Sequence, residues 1–166
     1  MSLSAVRKAP TMSLDHQVLP IESRSSVESI RPRGDAFYSR LFGWSLKWRG
    51  TQPFLVLENG ICAVTLPKIN GAQVLTRLAE TGCEGPAMAV LTQQGPRVAI
   101  LAESDGLIPP RISLPPHVEV LAWGALLPLP ADSGRAEAHA EWLSAPDPRQ
   151  RWLPSLDAVL AGVRPR

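Results

Sequence analysis

Two apolar runs, residues 54–57 and 61–66, are separated only by Glu58-Asn59-Gly60. Three residues are far too few for the helical crossover that joins parallel strands, and Asn-Gly favours the left-handed backbone of a tight turn. The two runs are therefore expected to pair antiparallel. The pattern recurs at residues 87–91 and 97–101, which flank Gln93-Gln94-Gly95-Pro96, and at residues 118–122 and 125–129, which bend at Gly124. Hairpins thus stand where a doubly wound fold would have crossover helices, and an antiparallel sheet with helices packed on it is favoured.

Helical periodicity fills the gaps between these runs. Ala36, Phe37, Leu41 and Phe42 fall on one helical face, with Gly43 as the stop. Trp44, Leu46 and Trp48 then alternate with Ser45, Lys47 and Arg49, the period of a half-buried strand. Asn70 is placed to cap a second helix lined by Val74, Leu75 and Leu78 and ended by Gly82. Pro154-Ser155 introduces a third, lined by Leu156, Val159 and Leu160. The expected order is α-β-β-β-α-β-β-β-β-α, an α+β fold with a mostly antiparallel sheet and two or three short helices. Seventeen prolines and twelve glycines agree with many short elements joined by turns. Residues 33–166 are read as one domain, and residues 1–32, which lack periodicity, as a disordered tail. Within that tail Val18-Leu19-Pro20-Ile21 is the place to look for a docking motif.

A formal charge of +2 leaves the partner open, because an average cannot reveal a basic face. No run approaches the length of a membrane helix, and residues 1–29 lack the apolar core of a secretory signal, so no membrane association and a cytoplasmic location are expected. Cys62 and Cys83 have neither C-x-x-C spacing nor companion histidines and are read as reduced thiols.

Catalytic patterns are sparse. No glycine cluster suits a phosphate-binding loop. His16, His117 and His139 are too scattered for a zinc site, so neither metal nor cofactor is expected. Ser104-Asp105-Gly106 and Asp132-Ser133-Gly134 set serine beside aspartate, but they are ordinary turn tripeptides. Glu58, Glu103, Asp105, Glu119, Asp132, Glu137 and Glu141 offer no alternating pair of carboxylates on a strand.

Two stretches carry resemblances. Phe37-Tyr38-Ser39-Arg40-Leu41-Phe42-Gly43-Trp44 resembles the helix-to-strand passage F-Y-x-x-x-F-G-W of glyoxalase and bleomycin-resistance proteins, whose chemistry would make the chain a small-molecule metalloenzyme. The strands here carry no histidine except His117 at an edge, and an aromatic helix end packing on a strand accounts for the same residues. The second resemblance runs from about Leu41 to Leu160. Gly43-Trp44-Ser45-Leu46, the stretch from Val118 through Trp123-Gly124 to Pro130, Ala140-Glu141-Trp142 and Trp152-Leu153-Pro154 together look like the primase-polymerase domain of the archaeo-eukaryotic primase superfamily.

That family holds divalent ions with two acids on one strand and a third on the late hairpin, and a histidine on an intervening strand contacts the nucleotide. The resemblance places Ala63 and Thr65 where the strand acids belong and leaves Glu119 as the vestigial third. Residues 97–101 hold no histidine. It therefore implies a degenerate, catalytically inactive domain that acts by binding DNA, RNA or a protein partner within a replication or regulatory assembly. Arg40, Lys47, Arg49, Lys68 and Arg77 are the expected basic contacts, with Trp48 available to stack on a base. Two other readings stand beside it: the glyoxalase-type enzyme, and a protein-interaction module that uses the tail.

Overall fold

The computed structural model describes residues 35–106, 113–131 and 139–164, and the expected tail 1–32 lies outside them. The described residues form an α+β fold of three helices and eight strands, with every strand pairing antiparallel. Helix α1 (Asp35–Phe42) leads into β1 (Leu46–Arg49) and β2 (Gln52–Val56), followed by β3 (Ile61–Pro67) and helix α2 (Lys68–Glu80). Strands β4 (Ala87–Thr92), β5 (Gly95–Glu103), β6 (Glu119–Leu121), β7 (Leu126–Pro128) and β8 (Ala140–Ser144) precede helix α3 (Leu156–Val163).

The strands divide between two sheets. A small sheet has the order β1-β2-β7 and a larger one β6-β3-β5-β4-β8. On one face of the larger sheet Val64 and Leu66 of β3 and Val98 and Ile100 of β5 pack against Val74 and Leu78 of α2 and Val159 and Leu160 of α3. On the other face Ala63, Ala99, Leu101 and Met88 pack against Leu55 and Leu127 of the small sheet and against Tyr38 and Trp44. The described residues thus form three layers: helices, five strands, then three strands with α1.

This layering overturns two expected pairings. Asn59 and Gly60 do adopt the left-handed backbone, with φ of 55° and 86°, and Ile61 N–H donates to the Glu58 carbonyl at 3.0 Å. Yet β2 and β3 do not pair; the turn carries the chain from one sheet to the other. The reason lies in β3, whose residues 62–66 are all buried, so both its faces need covering. A buried aliphatic side chain gains about 1.5–3 kcal/mol on leaving water, which outweighs any local preference for a hairpin partner. Residues 118–122 and 125–129 likewise pass between sheets, β6 pairing with β3 and β7 with β2. Here too the turn is left-handed, at Trp123 (φ 51°) and Gly124 (φ 81°). The two crossings are bonded together: Leu57 N–H donates to the Ala125 carbonyl at 2.9 Å, and Gly124 N–H to the Leu57 carbonyl at 2.7 Å.

Other elements follow the sequence closely. Residues 87–92 and 95–103 pair as the expected hairpin around Gln93-Gln94. Gly43, at φ 70°, stops α1 and donates its N–H to the Ser39 carbonyl at 3.0 Å. Helix α2 starts before Asn70, because Pro67 supplies the N-cap backbone without a side-chain bond, and Asn70 is an exposed residue inside the helix. Ser155 caps α3, its Oγ accepting from Ala158 N–H at 3.2 Å. Strand β8 is an addition to the expected order. Both cysteines are free thiols.

Candidate functional site

The short strand β6 lies beside β3 with Thr65 directly opposite Glu119 and Ala63 opposite Leu121. Cross-strand partners share a face, so Ala63, Thr65 and Glu119 all lie on the face of the larger sheet that carries the small sheet. They do not share an environment. Ala63 is fully buried in the core beneath the small sheet, whereas Thr65, also buried, accepts hydrogen bonds from Arg97, which lines an open cleft.

The cleft has a volume of about 560 Å³ and is lined by Pro67, Gln94, Pro96, Arg97, His117, Val118 and Glu119. Arg97, only 6% exposed, forms its floor. Its Nη2 donates to the Thr65 carbonyl and Oγ1, both at 3.1 Å, and to the His117 carbonyl at 2.7 Å. Its Nη1 makes one long bond of 3.3 Å to Gln94 Oε1, and its Nε is buried without a hydrogen-bond partner. The cation is thus held in place by four acceptors, none of which carries a charge. Glu119, the one carboxylate among the lining residues, is exposed and is not among these acceptors. A buried charge is costly unless paired, and this guanidinium is compensated by neutral acceptors alone. His117 helps by adopting φ 65°, a left-handed conformation uncommon outside glycine.

In the sequence Arg97 reads only as part of an apolar strand, Gln94 as part of a hairpin turn and His117 as an isolated histidine at a strand edge, and none is among the candidate binding residues. A lone arginine at the start of an apolar strand reads as a solvated strand end, and its acceptors lie 32 and 20 positions away.

The six expected nucleic-acid contacts do not form one surface. Arg40, Lys47, Trp48 and Arg49 belong to the small-sheet side, all exposed, with the Arg49 guanidinium 5.2 Å from the centre of the Phe54 ring. Lys68 and Arg77 belong to α2, in the helix layer across the larger sheet. Arg77 Nη1 donates to the Arg164 carbonyl at 2.9 Å. Lys68 directly follows Pro67 of the cleft wall.

The aromatic run 37–44 is committed to packing. Tyr38 and Trp44 are buried and stack at 5.6 Å with 7° between their planes, and Trp142 Nε1 donates to the Tyr38 hydroxyl at 3.0 Å. Among the described residues no three His, Cys, Asp or Glu side chains are close enough to hold a metal ion, and no helix is long and apolar enough to cross a membrane. Burial, reinforced by the nearby Glu103 carboxylate, pushes the Cys62 thiol up to about 11. The chain matches no family model, no curated protein and no solved structure.

Proposed function

We propose that this protein is a catalytically inactive, primase-polymerase-like domain that acts by binding nucleic acid. The observation that supports the reading is the direct pairing of Thr65 with Glu119 on the face of the larger sheet where Ala63 lies buried in the core. At the three positions where the resemblance calls for acids, one carboxylate stands with a hydroxyl and a methyl group. Two-metal chemistry needs several anionic oxygens around its ions, and this set supplies a single carboxylate. The binding surface is the exposed edge strand β1, with Lys47 and Arg49 on one face and Trp48 on the other, and Arg40 exposed on α1. Lysine and arginine there neutralise phosphates while Trp48 offers a ring to a base.

Fluorescence anisotropy with labelled single- and double-stranded DNA at low salt tests this reading. Binding is expected to weaken steeply as salt rises, and to weaken in the Lys47→Ala/Arg49→Ala variant. Absent or salt-insensitive binding overturns it, and redirects attention to a protein partner.

A further inference from the structure

Buried arginines normally face a carboxylate; Arg97 faces two carbonyls, a hydroxyl and a carboxamide. The weakest of these contacts is the 3.3 Å bond from Nη1 to Gln94 Oε1, made by an exposed side chain at the cleft mouth. That carboxamide oxygen marks where a stronger acceptor would sit. A phosphate oxygen in its place would form a charge-assisted bond, about twice as strong as the neutral one.

Two features narrow the ligand. A cleft of about 560 Å³ is far too large for a lone ion and falls within the roughly 300–1,000 Å³ range of small-molecule sites. Its lining also pairs the arginine with Glu119, which disfavours a bare anion but accepts a hydrogen bond from a hydroxyl carried on the same molecule.

We propose that this cleft binds a small phosphate monoester bearing a hydroxyl group, the phosphate replacing the Gln94 carboxamide on Arg97 and the hydroxyl donating to Glu119. The ligand class is that of sugar phosphates and nucleoside monophosphates. The site is separate from the β1 surface and stands whether or not a nucleic-acid strand binds there.

The test uses the full chain, with thermal melting and calorimetric titration against ribose 5-phosphate, inorganic phosphate, ribose and an oligodeoxynucleotide lacking terminal phosphates. Ribose 5-phosphate is expected to bind most tightly and to raise the melting temperature. Inorganic phosphate should bind more weakly and ribose not at all. Gln94→Glu puts a carboxylate where the ligand oxygen belongs, so it is expected to stabilise the free protein and to weaken binding of both phosphates tenfold or more. Glu119→Gln separates the two halves of the site: it should tighten inorganic phosphate several-fold while weakening ribose 5-phosphate. Both substitutions are at exposed positions, so the test does not depend on an Arg97 variant that fails to fold. Failure of both phosphates to saturate the wild-type protein overturns the proposal, as does binding that neither substitution changes. Oligonucleotide binding without phosphate-ester binding would leave the β1 surface standing and remove the cleft site.

Discussion

Replacing Gly71 by alanine sets two opposing forces against each other, and the structure decides which wins. Gly71 lies inside α2, where alanine is normally better than glycine by about 1 kcal/mol. On helix propensity alone the substitution should stabilise the protein. The added methyl, however, would come to 2.5 Å from Val98 Cγ2 and 3.2 Å from Val98 Cβ. Carbon atoms prefer about 3.5–4.0 Å. Val98 is β-branched and 1% exposed on a central strand of the larger sheet, so it cannot swing away and α2 must lift instead. Overpacking of this kind costs about 1–3 kcal/mol, and subtracting the propensity gain leaves Gly71→Ala destabilised by about 1 kcal/mol. Urea unfolding of the full chain measures this directly. The sharper readout is a double-mutant cycle with Val98→Ala, which removes the clashing methyls: the pair should couple favourably by about 1–2 kcal/mol. If Gly71→Ala raises stability by the full propensity value, or shows no coupling to Val98, α2 does not approach β5 this closely and the reasoning fails.

Other outcomes follow from single contacts. Gly60→Ala should cost more than Gly124→Ala. Both glycines have positive φ, worth about 1–2 kcal/mol to an L-residue, but only at Gly60 would the new methyl meet a backbone oxygen, that of Ser104 at 3.2 Å; equal losses in urea would refute the contact. Because folding lifts the Cys62 thiol from 9.0 to about 11, the unfolded chain releases that proton first as pH rises. Stability should therefore fall through this window by about 1.4 kcal/mol per pH unit, a dependence that Cys62→Ala removes. In native protein a thiol reagent at neutral pH should modify Cys83 and spare Cys62, and equal rates would contradict the burial. Ser155→Ala should lower stability by about 1 kcal/mol through loss of the α3 cap, read as a shift in the urea midpoint.

What could be read from the sequence was local. Asn59-Gly60 and Trp123-Gly124 are turns as the residues indicate, but a turn dictates backbone angles and not which strand lies alongside. That choice was made by β3, apolar at both alternating positions and so needing cover on two faces; the continuous apolar run 61–66 carried that demand but not the identity of the partners. Asn70 lost its capping role to Pro67, whose fixed φ already suits a helix start. The facing of Thr65 and Glu119, 54 positions apart, was not legible, because residues 118–122 were expected to pair with 125–129 instead. Arg97 was invisible for a related reason: what makes it unusual is the neutrality of its distant acceptors, and neutral backbone carbonyls leave no trace in side-chain identity.

The paired crossings at Leu57 and Ala125 bear on the cleft at the far end of β3. Side chains along a strand alternate between faces, so a slip of one residue inverts everything beyond it. The bonds that Leu57 exchanges with Gly124 and Ala125 set the starting phase of β3 and β6 together, one leaving the corner and the other arriving at it. Shifted by one position, the pair would present Val64 and Val120 to the cleft and turn Thr65 and Glu119 beneath the helices, where only apolar groups wait. The corner is thus the index mark of the whole ribbon, and the polarity of a site several residues along each strand is tied to two hydrogen bonds that never touch it.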